Sequence, residues 1–186
     1  MGSTDGGTPA VSLVRDEAGN LFGTTQYGGD LSCETNAEIH GCGNVFKVGP
    51  SGKDTVLHSF TGSPDGSLPL AGLTRDSAGT FYGTPEAGGA NGCNDLGCRT
   101  VFKLKKSQES ILYNFSGEAD GRYTQSSLIR DAKGSLYGTT LLGGGNGCGG
   151  LGCGIVFRVA QAGKEKALYS FTGGADGGSP TSGLID

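Results

Sequence analysis

The chain has 186 residues, of which 34% are apolar and 38 are glycine, and it carries a formal net charge of −4. That much glycine argues against helices: glycine in a helix interior costs roughly 1 kcal/mol relative to alanine, and no segment repeats apolar residues at helical spacing over three turns. The acidic balance, with no basic cluster beyond Lys103, Lys105 and Lys106, argues against nucleic acid as a partner, and no apolar run approaches the roughly 18 residues of a membrane span.

The N-terminus lacks the charged-then-apolar layout of a secretory signal, and residues 1–11 read as a short leading segment and connection. A first repeat follows over 12–71, a second over 72–126 and a third over 127–181; residues 182–186 begin a fourth, first strand only. The segment SLVRDEAGNLFGTTQYGG from Ser12 returns as GLTRDSAGTFYGTPEAGG from Gly72 and as SLIRDAKGSLYGTTLLGG from Ser127. Each copy leads into a second segment: GNVFKVGPSGKDTVLHSFTG from Gly43, RTVFKLKKSQESILYNFSG from Arg99 and GIVFRVAQAGKEKALYSFTG from Gly154. Equivalent aspartates Asp16, Asp76, Asp131 and Asp186 are 60, 55 and 55 residues apart.

Each unit reads as four short strands rich in β-branched and aromatic residues. In the third copy they are predicted over 127–130, 135–140, 155–160 and 166–171. Asp16 to Gly19, Asp76 to Gly79 and Asp131 to Gly134 join the first two strands as hairpin turns, where Asp bonds its own backbone and Gly takes positive φ. The pairs Asp5-Gly6, Asp65-Gly66, Asp120-Gly121 and Asp176-Gly177 read as turns between units; a single carboxylate in each falls short of a calcium site. The expected fold class is all-β, with tandem four-stranded antiparallel units of β-propeller type, three repeats plus one extra first strand. The duplicated first strand predicts an unpaired edge or a head-to-tail contact with another molecule, giving a ring if it closes and a filament if it does not.

All six cysteines fall at matched repeat positions: Cys33 and Cys42, Cys93 and Cys98, Cys148 and Cys153. Three local disulfides are the favoured reading, each removing roughly 2 to 3 kcal/mol of unfolded-state entropy from a glycine-rich unit with little apolar area. Free thiols and zinc are the competing readings, though Cys-x4-Cys with no second pair or histidines beside it supplies too few zinc ligands. Disulfides would place the chain in an oxidising compartment, secreted or at a surface.

The repeated GNLFGTT, GTFYGTP and GSLYGTT segments, each followed by a double glycine, then NVFKV, TVFKL and IVFRV and a closing SF or NF with DG, resemble the bacterial choice-of-anchor tandem repeat proteins called GloVer. The resemblance spans essentially the whole chain. It implies export and surface display, with no activity to carry over to any residue.

A catalytic site should break the repeat symmetry. The largest departure is the longer first cysteine loop, where Glu34, Glu38 and His40 form a candidate binding loop able to converge on a metal or to act as acid and base; a solvated surface insertion is the favoured reading. His58 replaces Tyr113 and Tyr169 and is expected to pack or face solvent. No catalytic residue, metal site or cofactor is expected, since no nucleophile elbow, phosphate loop or histidine-rich motif occurs. The favoured function is an extracellular or cell-surface structural and binding module that associates with itself through repeat edges, with glycan or a surface protein as a further partner. A filament-forming protein and a propeller-type lyase or glycan-active enzyme are the alternatives.

Overall fold

The computed structural model describes residues 4–9, 12–33, 40–89 and 99–185. Among them there is no helix, and thirteen strands form three antiparallel sheets. Sheet 1 holds β1 (Gly7–Pro9), β2 (Val14–Arg15), β3 (Leu21–Tyr27), β4 (Asn44–Val48) and β5 (Asp54–Ser59). Sheet 2 runs β6 (Thr74–Arg75), β7 (Phe81–Gly83), β8 (Thr100–Lys105), β9 (Gln108–Asn114), and sheet 3 runs β10 (Ile129–Arg130), β11 (Leu136–Thr140), β12 (Ile155–Val159), β13 (Glu165–Ser170). The first strands are shorter than expected from sequence because their leading residues bond to the neighbouring sheet instead of to their own hairpin: Gly72 N–H donates to Ser127 Oγ at 3.0 Å, and Thr74 Oγ1 donates to the Leu128 carbonyl.

The hairpin turns form as the Asp and Gly positions predict. Asp76 Oδ1 accepts from Thr80 N at 2.8 Å and Asp131 Oδ1 from Ser135 N at 2.8 Å, while Gly79 and Gly134 adopt φ of 78° and 86°. The glycine inside each second strand has a different cause. Gly23, Gly83 and Gly138 lie directly across from Phe46, Phe102 and Phe157 of the third strand. A Cβ on any of them would come within 2.7 to 2.8 Å of another side chain, the facing phenyl ring among them. Glycine makes room for the ring to lie flat on the sheet.

A β-bulge recurs at one place in each sheet, between Val45 and Phe46, Val101 and Phe102, and Val156 and Phe157. The extra residue in the fourth strand is Leu57, Leu112 or Leu168, which the bulge re-aims. Leu57 and Leu112 consequently pack toward the next sheet.

The core lies between sheets. Phe22, Val45 and Phe60 of sheet 1 pack with Leu73, Phe81, Phe102 and Leu104 of sheet 2. Tyr82, Val101 and Phe115 on the other face of sheet 2 pack with Leu128, Leu136, Phe157 and Val159 of sheet 3. The aromatic rings meet edge to face, Phe60 with Phe102 at 5.3 Å and Phe115 with Phe157 at 5.1 Å. The middle sheet is therefore packed on both faces.

Candidate functional site

A polar contact closes every unit in the same way. Asp120 Oδ2 accepts from the Tyr113 hydroxyl and from Ser116 N, both at 2.7 Å, and its Oδ1 accepts from Ser116 Oγ. Asp176 holds Tyr169 and Thr172 identically. Asp65 binds the Thr61 N–H and hydroxyl, with His58 Nε2 3.1 Å away taking the place of tyrosine. Burial raises the carboxyl of Asp65, but the bonds from His58 and Thr61 outweigh it and hold the group below its usual range. These aspartates fasten the fourth strand to the connection that follows; a role repeated in each unit is structural.

The deepest departure from repeat symmetry is at Arg99, which stands where the other two units have Gly43 and Gly154. A Cβ at Gly154 would lie 2.2 Å from the Thr140 carbonyl and 2.8 Å from Pro180 Cδ, and one at Gly43 would meet Thr25 O and Pro69 Cδ as closely. In the second unit the proline is Thr124, which removes the ring from the path of the arginine. The buried guanidinium of Arg99 stacks 3.9 Å from the Tyr123 ring, and its Nη2 is 3.6 Å from Glu86 Oε1, which also accepts from Gln125 Nε2 at 3.3 Å. Burial pulls Arg99 down to about 10, with Glu86 and Tyr123 acting in the opposite direction.

Arg122 approaches the same ring from the neighbouring position, 5.8 Å from its centre. It also lines an open cavity of about 480 Å³ between the connection after β9 and the glycine turn after β11. Glu118, Asn146, Leu151 and the backbone of Gly143 to Gly145 complete the lining. Residues bearing a carboxylate, a guanidinium and an amide thus line one space, groups that can offer acceptors and donors to a hydroxyl-rich ligand. Among the described residues no serine, cysteine or histidine lines the cavity.

The residues singled out in the sequence are placed as follows. Cys33 and Cys42 are bonded with Cα atoms 5.6 Å apart, and Cys148 and Cys153 with Cα atoms 5.3 Å apart. Cys93 and Cys98 lie outside the described residues, as do Glu34 and Glu38. His40 is exposed, and its carbonyl accepts from Gly28 N at 3.1 Å. The Arg99 cluster was not among the sequence candidates. Its signal was a charged residue at a position that is glycine in both other copies.

Residues 2–186 match the family model described as the Gloeobacter/Verrucomicrobia repeat. The chain belongs to that family. This is the family that the repeated segments resemble, and no curated protein matches the chain. Among solved structures, a luciferin-regenerating enzyme is 15% identical over 87% of this chain and 45% of its own length, with a TM-score of 0.49. A provisionally assigned gluconolactonase is 14% identical over 91% of this chain and 49% of its own, with a TM-score of 0.48. The Gloeobacter/Verrucomicrobia repeat chain spans about half the length of these two structures, and neither likeness is close enough to carry an argument about fold or chemistry.

Proposed function

We propose that the chain is an exported structural and binding module, a stack of propeller-type blades that displays the Arg122 cavity to a glycan or to the glycan of a surface protein. The observation that carries the reading is the contrast between the two kinds of polar group. The repeated aspartates are consumed in fastening strands, while the group that breaks the symmetry stacks and pairs around Tyr123 beside a cavity lined by Glu118, Arg122 and Asn146. Stacking planes and fixed donors serve recognition. Two local disulfides among the described residues fit an oxidising compartment and so support export.

The test is calorimetric titration of the oxidised protein with a panel of neutral and acidic oligosaccharides, followed by product analysis. The expected result is binding without bond cleavage, weakened about tenfold or more by Arg122→Ala. Release of shortened sugars would replace this reading with an enzymatic one, and a panel without a single binder would remove the glycan.

A further inference from the structure

Both sheet-to-sheet contacts inside the chain use the same pair of surfaces. One surface carries Leu73, Phe81, Phe102 and Leu104 in sheet 2 and Leu128, Leu136, Phe157 and Val159 at the equivalent positions of sheet 3. The opposing surface carries Phe22, Val45, Leu57 and Phe60 in sheet 1 and Tyr82, Val101, Leu112 and Phe115 in sheet 2. Each of these surfaces occurs a third time, open among the described residues. On sheet 1 the first kind is Leu13, Leu21, Phe46, Val48 and Val56, with Leu13 48% exposed where Leu73 and Leu128 are buried. On sheet 3 the second kind is Tyr137, Val156, Leu168, Tyr169 and Phe171, with Leu168 46% and Tyr169 48% exposed.

We propose that the open face of sheet 1 docks on the open face of sheet 3 of a second copy, head to tail, in the geometry of the two internal contacts. The occupant is a second copy because the complement of each open face is carried by this same chain and is already packed against that complement twice. Cross-strand pairing settles the match: Phe46 opposes Val56 as Phe102 opposes Ile111, and Val156 opposes Tyr169 as Val101 opposes Tyr113. The bulge that turns Leu57 and Leu112 into the internal contacts turns Leu168 outward, 46% exposed among the described residues. An apolar side chain aimed by a bulge into solvent gains only when another surface covers it.

Residues 178–185 lie beyond sheet 3 on the course taken by the connections before them. Pro180 sits over Gly154 as Pro69 sits over Gly43, and the Ser182 carbonyl accepts from Thr139 Oγ1 at 3.3 Å much as the Ser126 carbonyl accepts from Thr84 Oγ1 at 3.4 Å. This duplicate of the first strand and β2 of the incoming copy compete for one inner position. The contacts of β4 and β5 with sheet 3 lie outside the duplication and are the same whichever strand fills it. A contact between unlike faces is heterologous and propagates until it closes.

The inference deepens the module reading by naming a partner, yet it uses none of the cavity residues, so a failed glycan titration leaves it standing and its own failure leaves the cavity untouched. The experiment is sedimentation velocity on the full oxidised chain from about 1 to 100 µM, with Val56→Glu on sheet 1 and Leu168→Glu on sheet 3. Both side chains are exposed, so both variants keep the fold, which circular dichroism verifies; Tyr137→Lys replaces Leu168→Glu if the latter unfolds. Wild type is expected to associate in this range and each variant alone to be monomeric. An equimolar mixture of the two is expected to form a 1:1 complex that grows no further, since one intact face of each kind remains. A strictly monomeric wild type overturns the proposal, as does a Val56→Glu variant that still dimerises through like faces.

Discussion

The Tyr113 hydroxyl lies 2.7 Å from Asp120 Oδ2, joining the bulged end of β9 to the connection that enters the third unit. Burial, followed by this bond, pushes the phenol well above its ordinary range, so it remains a neutral donor to the Asp120 carboxylate through neutral pH. Such charge-assisted bonds are the stronger kind.

Asp120→Ala therefore strands the half-buried tyrosine hydroxyl and removes the two bonds from Ser116. The expected loss is about 2 kcal/mol in urea denaturation. Asp176→Ala removes the same set of bonds at the exposed end and is expected to cost less. Equal losses at the two positions would contradict the role of the covering sheet.

Stability should fall as pH rises through neutrality. Desolvation lifts Glu109 and Glu165 to about 7; Asp65 raises Glu109 further while His58 lowers it, and Asp120 raises Glu165. A carboxyl raised on folding stays protonated in the native state while the unfolded chain ionises. Its favourable contribution is complete below about pH 4.5 and is lost by about pH 7. With solvent screening of two half-exposed groups, the combined loss is on the order of 1 kcal/mol, and Glu109→Gln should flatten about half of it. Denaturation midpoints at pH 5 and pH 8 measure the slope, and a midpoint that rises with pH would refute the assignment.

Gly138→Ala places a methyl 2.7 Å from Phe157 Cζ and 2.9 Å from Leu128 Cδ2 in a filled core. A loss of about 2 kcal/mol follows from overpacking. Gly23→Ala sets the same methyl against Phe46, whose ring is half-buried on an open face and can move aside, so the loss is smaller. Thermal melts of the two variants compare them directly.

The repeat period, the Asp-to-Gly hairpins and the local cysteine pairs were legible because each is written into neighbouring residues. The strands of the third unit were placed within about two residues for the same reason. Stacking was harder to read. Leu57 and His58 are adjacent, and a simple alternation would send them to opposite faces; the bulge beside Val45 breaks that period, and nothing local announces it. Attention to the longer first cysteine loop also drew the candidate site toward Glu34, Glu38 and His40. The cluster around Arg99 depends instead on Tyr123 and Glu86, which are well separated along the second unit and meet only in the fold, and its one local trace was a glycine replaced by arginine.

The described disulfides link cysteines 9 and 5 residues apart, and neither joins one repeat to another. Each of these pairs can therefore be oxidised within its own short loop, without waiting for a cysteine from another repeat. Duplicating or deleting a whole unit leaves the remaining pairs intact. An array built this way can change length over evolutionary time without ever passing through an odd cysteine.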